Sequence, residues 1–131
     1  MTGGRRRRRA VFNSQDGQAA VELALALPLV FVVLLAAVQV VLVGRDQIAV
    51  VHAAREGARA AAVAADGAGE GVAAATAASG LDSSRLAVSV ADNGDRVTVI
   101  VRYRSATDVP LVGAFIGDVT VTGTATMRVE P

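Results

Sequence analysis

The hydrophobic positions of the chain follow three successive patterns. Residues 23–44 form an apolar block without a formal charge. As an α-helix with a rise of about 1.5 Å per residue, this block is roughly 33 Å long, which is enough to cross the hydrocarbon core of a bilayer. Residues 45–80 continue with a helical period, and residues 81–131 alternate apolar and polar positions as strands do. The pattern predicts one membrane-spanning helix followed by a helical segment and a β-rich head.

The helical segment is expected to continue the spanning helix beyond Gly44. Its charged residues share one stripe, at His52, Arg55, Glu56 and Arg59. A second stripe places small residues at every fourth position, at Ala53, Gly57 and Ala61. Small residues let two backbones approach closely, so these three are candidate helix-packing residues, with either another subunit or the chain's own sheet as their partner. A break at residues 67–69 and a short helix capped by Gly80 are expected next.

Three strands are predicted in the head. In the first, Leu86, Val88 and Val90 alternate with small or polar residues, and Asn93-Gly94 then favours a two-residue type I′ turn. Such a turn pairs Val90 with Val97, Val88 with Val99 and Leu86 with Val101. A third strand runs from Val119 to Val129 with threonines on its polar side. The predicted fold class is α+β, with a long N-terminal transmembrane helix continuing into a head helix packed on a small three-stranded antiparallel meander.

Composition and charge agree with a membrane protein and indicate its orientation. The chain is 53% hydrophobic with a mean hydropathy of +0.48, which is too apolar for an ordinary soluble domain. Five consecutive arginines, Arg5–Arg9, precede the span, so we expect the N-terminus in the cytoplasm and the C-terminal head outside the cytoplasmic membrane. The predicted organisation is a basic cytoplasmic leader (1–17), a transmembrane helix (18–44), an extracytoplasmic helical segment (45–80) and a β-rich head (81–131).

The reactive residue types in the chain favour a protein that is not an enzyme. The chain has no cysteine and no paired histidines, and it lacks both a phosphate-binding Gly-Lys loop and a Gly-x-Ser-x-Gly motif. We therefore expect no catalytic residue, no metal and no cofactor. Aromatic residues make up only 3% of the chain and tryptophan is absent, which removes the usual stacking surface for single-stranded nucleic acid. The arginine block is interpreted as a topology signal, and no nucleic-acid partner is expected.

Two residues near the start of the span allow functional interpretations. Pro28 removes a backbone donor within the span and is expected to kink or loosen the helix. Glu22 either complements the positive end of the helix dipole near the inner interface or pairs with a partner, because a carboxylate at the head of a span is costly. If the chain is cut between Gly17 and Gln18, the new α-amine lies four residues before Glu22 on one helix face. The acid would then align this subunit with a neighbour, as a subunit-registration residue.

The stretch from Gly17 to Ala62 resembles the TadE-like family of the tight-adherence (Flp) pilus system. The residues that carry the resemblance are Gly17, Glu22, Pro28 and the helix Ala53-Ala54-Arg55-Glu56-Gly57-Ala58-Arg59. The order of arginine block, glycine and apolar helix also looks like a type IV prepilin leader. The resemblance implies a minor pseudopilin, cut by a prepilin peptidase on the cytoplasmic face and acting in the assembly of thin adhesive pili. Its implied partners are that peptidase, other pilins and pseudopilins, pilus assembly platform proteins and the lipid bilayer.

Two other functional hypotheses remain beside the pseudopilin. The first is an uncleaved single-span scaffold protein within an envelope secretion machine. The second is a membrane-anchored sensor, although the sixteen residues before Gly17 are expected to be disordered and to leave no room for a cytoplasmic signalling module. The mature N-terminus separates the pseudopilin from both.

Overall fold

The computed structural model describes residues 14–129, with side chains from Gly17 onward. Arg5–Arg9 and most of the leader lie outside the described residues. The chain divides into two compact units, Met1–Leu34 and Leu35–Pro131, and the second is called the C-terminal unit below.

Helix α1 runs without interruption from Ser14 to Val63. The predicted continuation past Gly44 is therefore confirmed. In the first unit, the side chains of residues 18–34 are exposed to the surroundings rather than covered by other described residues. The apolar part of α1 reaches a mean hydropathy of 2.9, and the helix is long enough to cross a membrane. Pro28 lies inside α1, where its missing N–H leaves the carbonyl of Ala24 without its helical donor.

Helix α2 runs from Gly67 to Ser79. Residues 67–69 were expected to form a break, and that expectation is wrong because they form the first turn of α2. The reason is Asp66, whose side chain accepts a hydrogen bond from the backbone N–H of Gly69 at 3.2 Å and so caps the helix start. The predicted cap at the other end is confirmed, since Gly80 has the left-handed φ of 61°.

The strands form one antiparallel sheet in the order β1-β2-β3. Strand β1 spans Leu86–Asp92, β2 spans Arg96–Ser105 and β3 spans Val119–Arg128. A four-residue helix, α3, lies between β2 and β3 at Gly113–Ile116. Alternate residues of β2 are buried, which gives the sheet one apolar and one largely polar face. The predicted α+β fold with a three-stranded meander is confirmed.

The register between β1 and β2 differs from the prediction by two residues. Val90 pairs with Val99 and Val88 with Val101, where Val97 and Val99 were expected. The turn lies one residue later than predicted, because the N–H of Asn93 donates to the carbonyl of Arg96 at 3.0 Å and leaves residues 94–95 as the loop. Only Gly94 of these two has a positive φ, so the turn is not type I′, which requires a positive φ at both positions.

The core of the C-terminal unit lies between the apolar face of the sheet and the two long helices. Alanines dominate the helical side and valines the sheet side, so the layers approach closely. The buried cluster consists of Val50, Ala53, Ala54, Ala58, Ala75, Val99, Val101, Tyr103 and Val121. A smaller cluster continues it with Ala61, Ala62 and Val97.

Candidate functional site

The segment from Gly17 to Glu22 lies in the first turns of α1. Gln18 and Glu22 are both exposed. The side-chain amide of Gln18 lies 3.4 Å from a carboxylate oxygen of Glu22, one turn away. Helical side chains tilt toward the N-terminus, so the carboxylate of Glu22 points back toward residue 18. The geometry allows Glu22 to meet a group at position 18 of the same helix or a cation on a neighbouring chain.

Gly17 has no packing role among the described residues. A Cβ added at this position would meet no atom within 4 Å. Glycine inside a helix costs about 1 kcal/mol relative to alanine, so the residue carries a local cost without a visible gain in packing. The missing side chain therefore leaves space in which another protein could recognise this position.

The small-residue stripe of α1 faces the chain's own α2 and sheet. Ala53, Gly57 and Ala61 are all buried. A Cβ on Gly57 would lie 2.8 Å from the Cβ of Ala75, 2.8 Å from the carbonyl oxygen of Gly71 and 3.2 Å from Val99. This stripe therefore has intramolecular neighbours. Of the two partners left open by the sequence, the C-terminal unit supplies its own sheet, with α2 as an additional contact.

Polar side chains connect α1 to the far end of β2, to the segment that follows it and to β3. The hydroxyl of Ser105 donates to a carboxylate oxygen of Asp46 at 2.6 Å. The amide of Gln47 donates to the carbonyl of Thr122 at 2.9 Å. Gln39 is 4% exposed, and its amide donates to the hydroxyl of Thr107 at 3.5 Å. These bonds fix the end of the sheet that lies beside the last turns of the apolar block.

The rest of the described chain offers no constellation for chemistry. Within residues 14–129, no three His, Cys, Asp or Glu side chains group in a way that could hold a metal ion. His52 is exposed on the charged stripe of α1. The candidate functional features among the described residues are therefore the start of α1 and the surfaces where helices and sheet pack.

The described chain combines a helix that is long and apolar enough to cross a membrane, an acid at its start and a small α+β unit, and this arrangement indicates the class of membrane-anchored proteins. Residues 17–59 match the family model described as TadE-like protein. The match contains Gly17, Glu22, Pro28 and Gly57, and it confirms the resemblance over that segment. No curated protein and no solved structure matches the chain.

The family match and the apolar helix agree on a coarse assignment. TadE-like proteins are structural proteins associated with Tad pili, so the chain is similar to a pilus-associated membrane protein rather than to an enzyme. The helix indicates membrane anchoring.

Proposed function

We propose that this chain is a minor pseudopilin or pilus-assembly membrane protein of the tight-adherence (Flp) pilus and secretion system. The observation that carries the proposal is the TadE-like match, because it begins at Gly17 and includes both the glycine and the acid at the start of the apolar helix. The proposed partners are a prepilin peptidase, other pilins and pseudopilins, the pilus assembly platform and the lipid bilayer. The head would lie outside the cytoplasmic membrane or on a surface pilus.

In this proposal, Gly17 and Gln18 form the cleavage site. The support for a role of Gly17 in recognition is that, apart from its chain neighbours and the backbone of its own helix, no described atom lies within 4 Å of where its Cβ would be. A peptidase that approaches the cytoplasmic end of the helix would find no obstruction at that position. Cleavage removes the basic leader and leaves Gln18 as the first residue, with its new α-amine one turn from Glu22.

The first prediction is that the mature protein begins at Gln18. Mass spectrometry of the protein purified from the membrane fraction should give the mass of residues 18–131. Replacing Gly17 by leucine should abolish the cut, because the side chain occupies space that the peptidase needs, while membrane insertion stays unchanged. Gly44→Leu is the matched control, since Gly44 is also a glycine of α1 with nothing within 4 Å of an added Cβ. An intact N-terminus in the wild type would favour the uncleaved scaffold of a secretion machine.

The second prediction concerns orientation. With Arg5–Arg9 before the span and near-neutral residues after it, the C-terminal unit should face away from the cytoplasm. Alkaline phosphatase fused after Pro131 should be active in intact cells, whereas a reporter that works only in the cytoplasm should be silent. Replacing the five arginines by glutamines should weaken this bias. Activity of the cytoplasmic reporter in the wild type would reverse the assignment.

A further inference from the structure

The segment between β2 and β3 is apolar and exposed although it connects two strands. We call residues 106–118 the apolar loop. Val109 and Val112 are buried and hold its inner side, whereas Leu111, Phe115 and Ile116 expose 58%, 88% and 60% of their surfaces. Exposed apolar clusters of this kind mark surfaces that contact another protein or a membrane. The loop therefore needs an apolar neighbour that the chain does not provide among its described residues.

The apolar loop has a defined base. The hydroxyl of Thr107 donates to the carbonyl of Gly117 at 2.5 Å, and the backbone N–H of Thr107 lies 3.4 Å from a carboxylate oxygen of Asp118. At Gly113 a side chain would overlap the carbonyl oxygen of Thr107, so the loop folds tightly back on its base. The exposed side chains thus belong to an ordered cap with a fixed outward face.

The base of the loop touches α1 inside its apolar block. Because the single proton of the Thr107 hydroxyl goes to Gly117, that oxygen can only accept from Gln39, which it does at 3.5 Å. Gln39 lies about 6 Å before Val43 along the helix axis, toward the N-terminus of α1 and deeper within its apolar block. One side of α1 is also partly covered one turn closer to its N-terminus, since Leu35 and Ala36 are half-buried. The loop base is therefore level with a part of α1 that is long and apolar enough to lie in lipid.

We propose that the apolar loop enters the bilayer leaflet on the side of the C-terminal unit, with Leu111, Phe115 and Ile116 among the acyl chains. Interfacial segments bury their apolar faces about 5–10 Å deep, which agrees with a base at Gln39. We take lipid as the occupant because the loop base contacts α1 at Gln39, and Val38, Val40 and Val41 beside it are exposed in a helix that is apolar enough to cross a membrane. The C-terminal unit then touches the membrane at two points, α1 and the loop, which restricts its rotation about the span.

Two basic residues lie where this arrangement places the lipid phosphates. Arg45 and Arg104 are both exposed. Each precedes a member of the hydrogen-bonded pair Asp46 and Ser105, and Asp46 lies about two helical turns beyond Gln39 in α1. At that height they meet phosphate groups, for which guanidinium is a suitable donor. Asp118 is exposed at the loop base, where its carboxylate accepts a hydrogen bond from the backbone N–H of Thr107 at 3.4 Å. The inference requires only that α1 spans a membrane, and it is independent of both the pilus role and the side that the C-terminal unit faces.

The test uses a single tryptophan as a reporter, because the chain has none of its own. The full chain carrying Phe115→Trp is reconstituted in phosphatidylcholine vesicles, made either with ordinary lipid or with acyl chains brominated near the headgroup. We expect emission that is shifted to shorter wavelength and is mostly lost with the brominated lipid. Val40→Trp, on the lipid-facing side of α1, is the positive control. Val63→Trp is the matched negative control, because Val63 is an equally apolar, 67% exposed residue about 30 Å further along α1 than Val43.

The outcomes separate lipid from water and from protein. If brominated lipid quenches the tryptophan at position 115 and aqueous iodide does not, the proposal is supported. Quenching by iodide and not by lipid overturns it, since the loop would then lie in water. Protection from both also overturns it, because protein would cover the loop, as in a contact with a second copy. Ile116→Trp repeats the measurement at a second exposed position, so that a local disturbance at residue 115 does not decide the result.

Discussion

Replacing Gly57 by valine is expected to destabilise the C-terminal unit by about 3 kcal/mol, at the upper end of the range for overpacked cores. The first added carbon alone would lie 2.8 Å from both Ala75 Cβ and the carbonyl oxygen of Gly71. Neither atom is the end of a flexible side chain, so α2 must move away from α1. Val99, 3.2 Å away, blocks relief toward the sheet. Better helix propensity offsets less than about 1 kcal/mol of this cost.

The control for this prediction is Gly44→Val, in the same helix. A Cβ at Gly44 meets nothing within 4 Å, so only the gain in helix propensity remains. Thermal unfolding of the full-length variants in detergent micelles, followed by circular dichroism, should show a melting point more than about 10 °C lower for Gly57→Val and little changed for Gly44→Val. Equal melting points for both variants would mean that α1 and α2 are not closely packed at Gly57.

The features that could be predicted from the sequence are those set by local periodicity. The continuation of α1 past Gly44 followed from a helical spacing of charged and small residues, and the cap at Gly80 followed from the conformational freedom of glycine. The apolar face of the sheet followed from the strict alternation in β1, β2 and β3. In each case the feature is determined by residues that are close together along the chain.

The register of β1 against β2 could not be derived in the same way. A shift of two residues keeps every side chain on its own face, so the hydrophobic pattern is equally satisfied by both registers. The choice depends on one turn. There the side chain of Asp92 accepts from the N–H of Gly94 at 2.8 Å, which favours residues 94–95 as the loop over the familiar Asn93-Gly94 pair.

Contacts between distant residues were also beyond the sequence. Gln39 and Thr107 are 68 positions apart, and Asp46 and Ser105 are 59 apart. The sequence shows only that these residues are polar, and their neighbours along the chain do not indicate which residues they hydrogen-bond. Gly123 is a partial exception: it interrupts the apolar positions of β3, and a side chain there would overlap the carbonyl oxygen of Val50. A glycine in a strand can indicate such close approach of two backbones.

The change Glu22→Gln is expected to leave processing intact and to abolish assembly with other pilins. After the proposed cut, the α-amine of Gln18 is one turn from Glu22, and the same amine of an adjacent subunit could reach the carboxylate. In the uncut chain the Gln18 side chain already lies 3.4 Å from it. In a poorly solvated setting, removing one member of such a charge pair costs about 3–5 kcal/mol, because the other charge stays unpaired. A loss of this size is sufficient to prevent stable association of the subunit.

The alternative interpretation of Glu22 predicts a different result. A carboxylate that only complements the helix dipole contributes at most about 1 kcal/mol at an exposed position. In that case Glu22→Gln would still be cut, inserted and assembled. The two interpretations therefore differ in assembly and agree in processing, so both quantities must be measured in the same cells.

The decisive measurement is co-purification of the mature protein with the other pilins, together with a count of surface pili, for the wild type and Glu22→Gln. Gln18→Ala is the matched control, because it removes the side chain that contacts Glu22 in the uncut helix and keeps the new α-amine. We expect Gln18→Ala to be processed and assembled, and Glu22→Gln to be processed but absent from the complex. Normal pili in Glu22→Gln would reduce the role of the acid to the helix dipole. Loss of assembly in both variants would instead assign the effect to the contact between the Gln18 and Glu22 side chains, since each variant alters that contact and the amine is present in each.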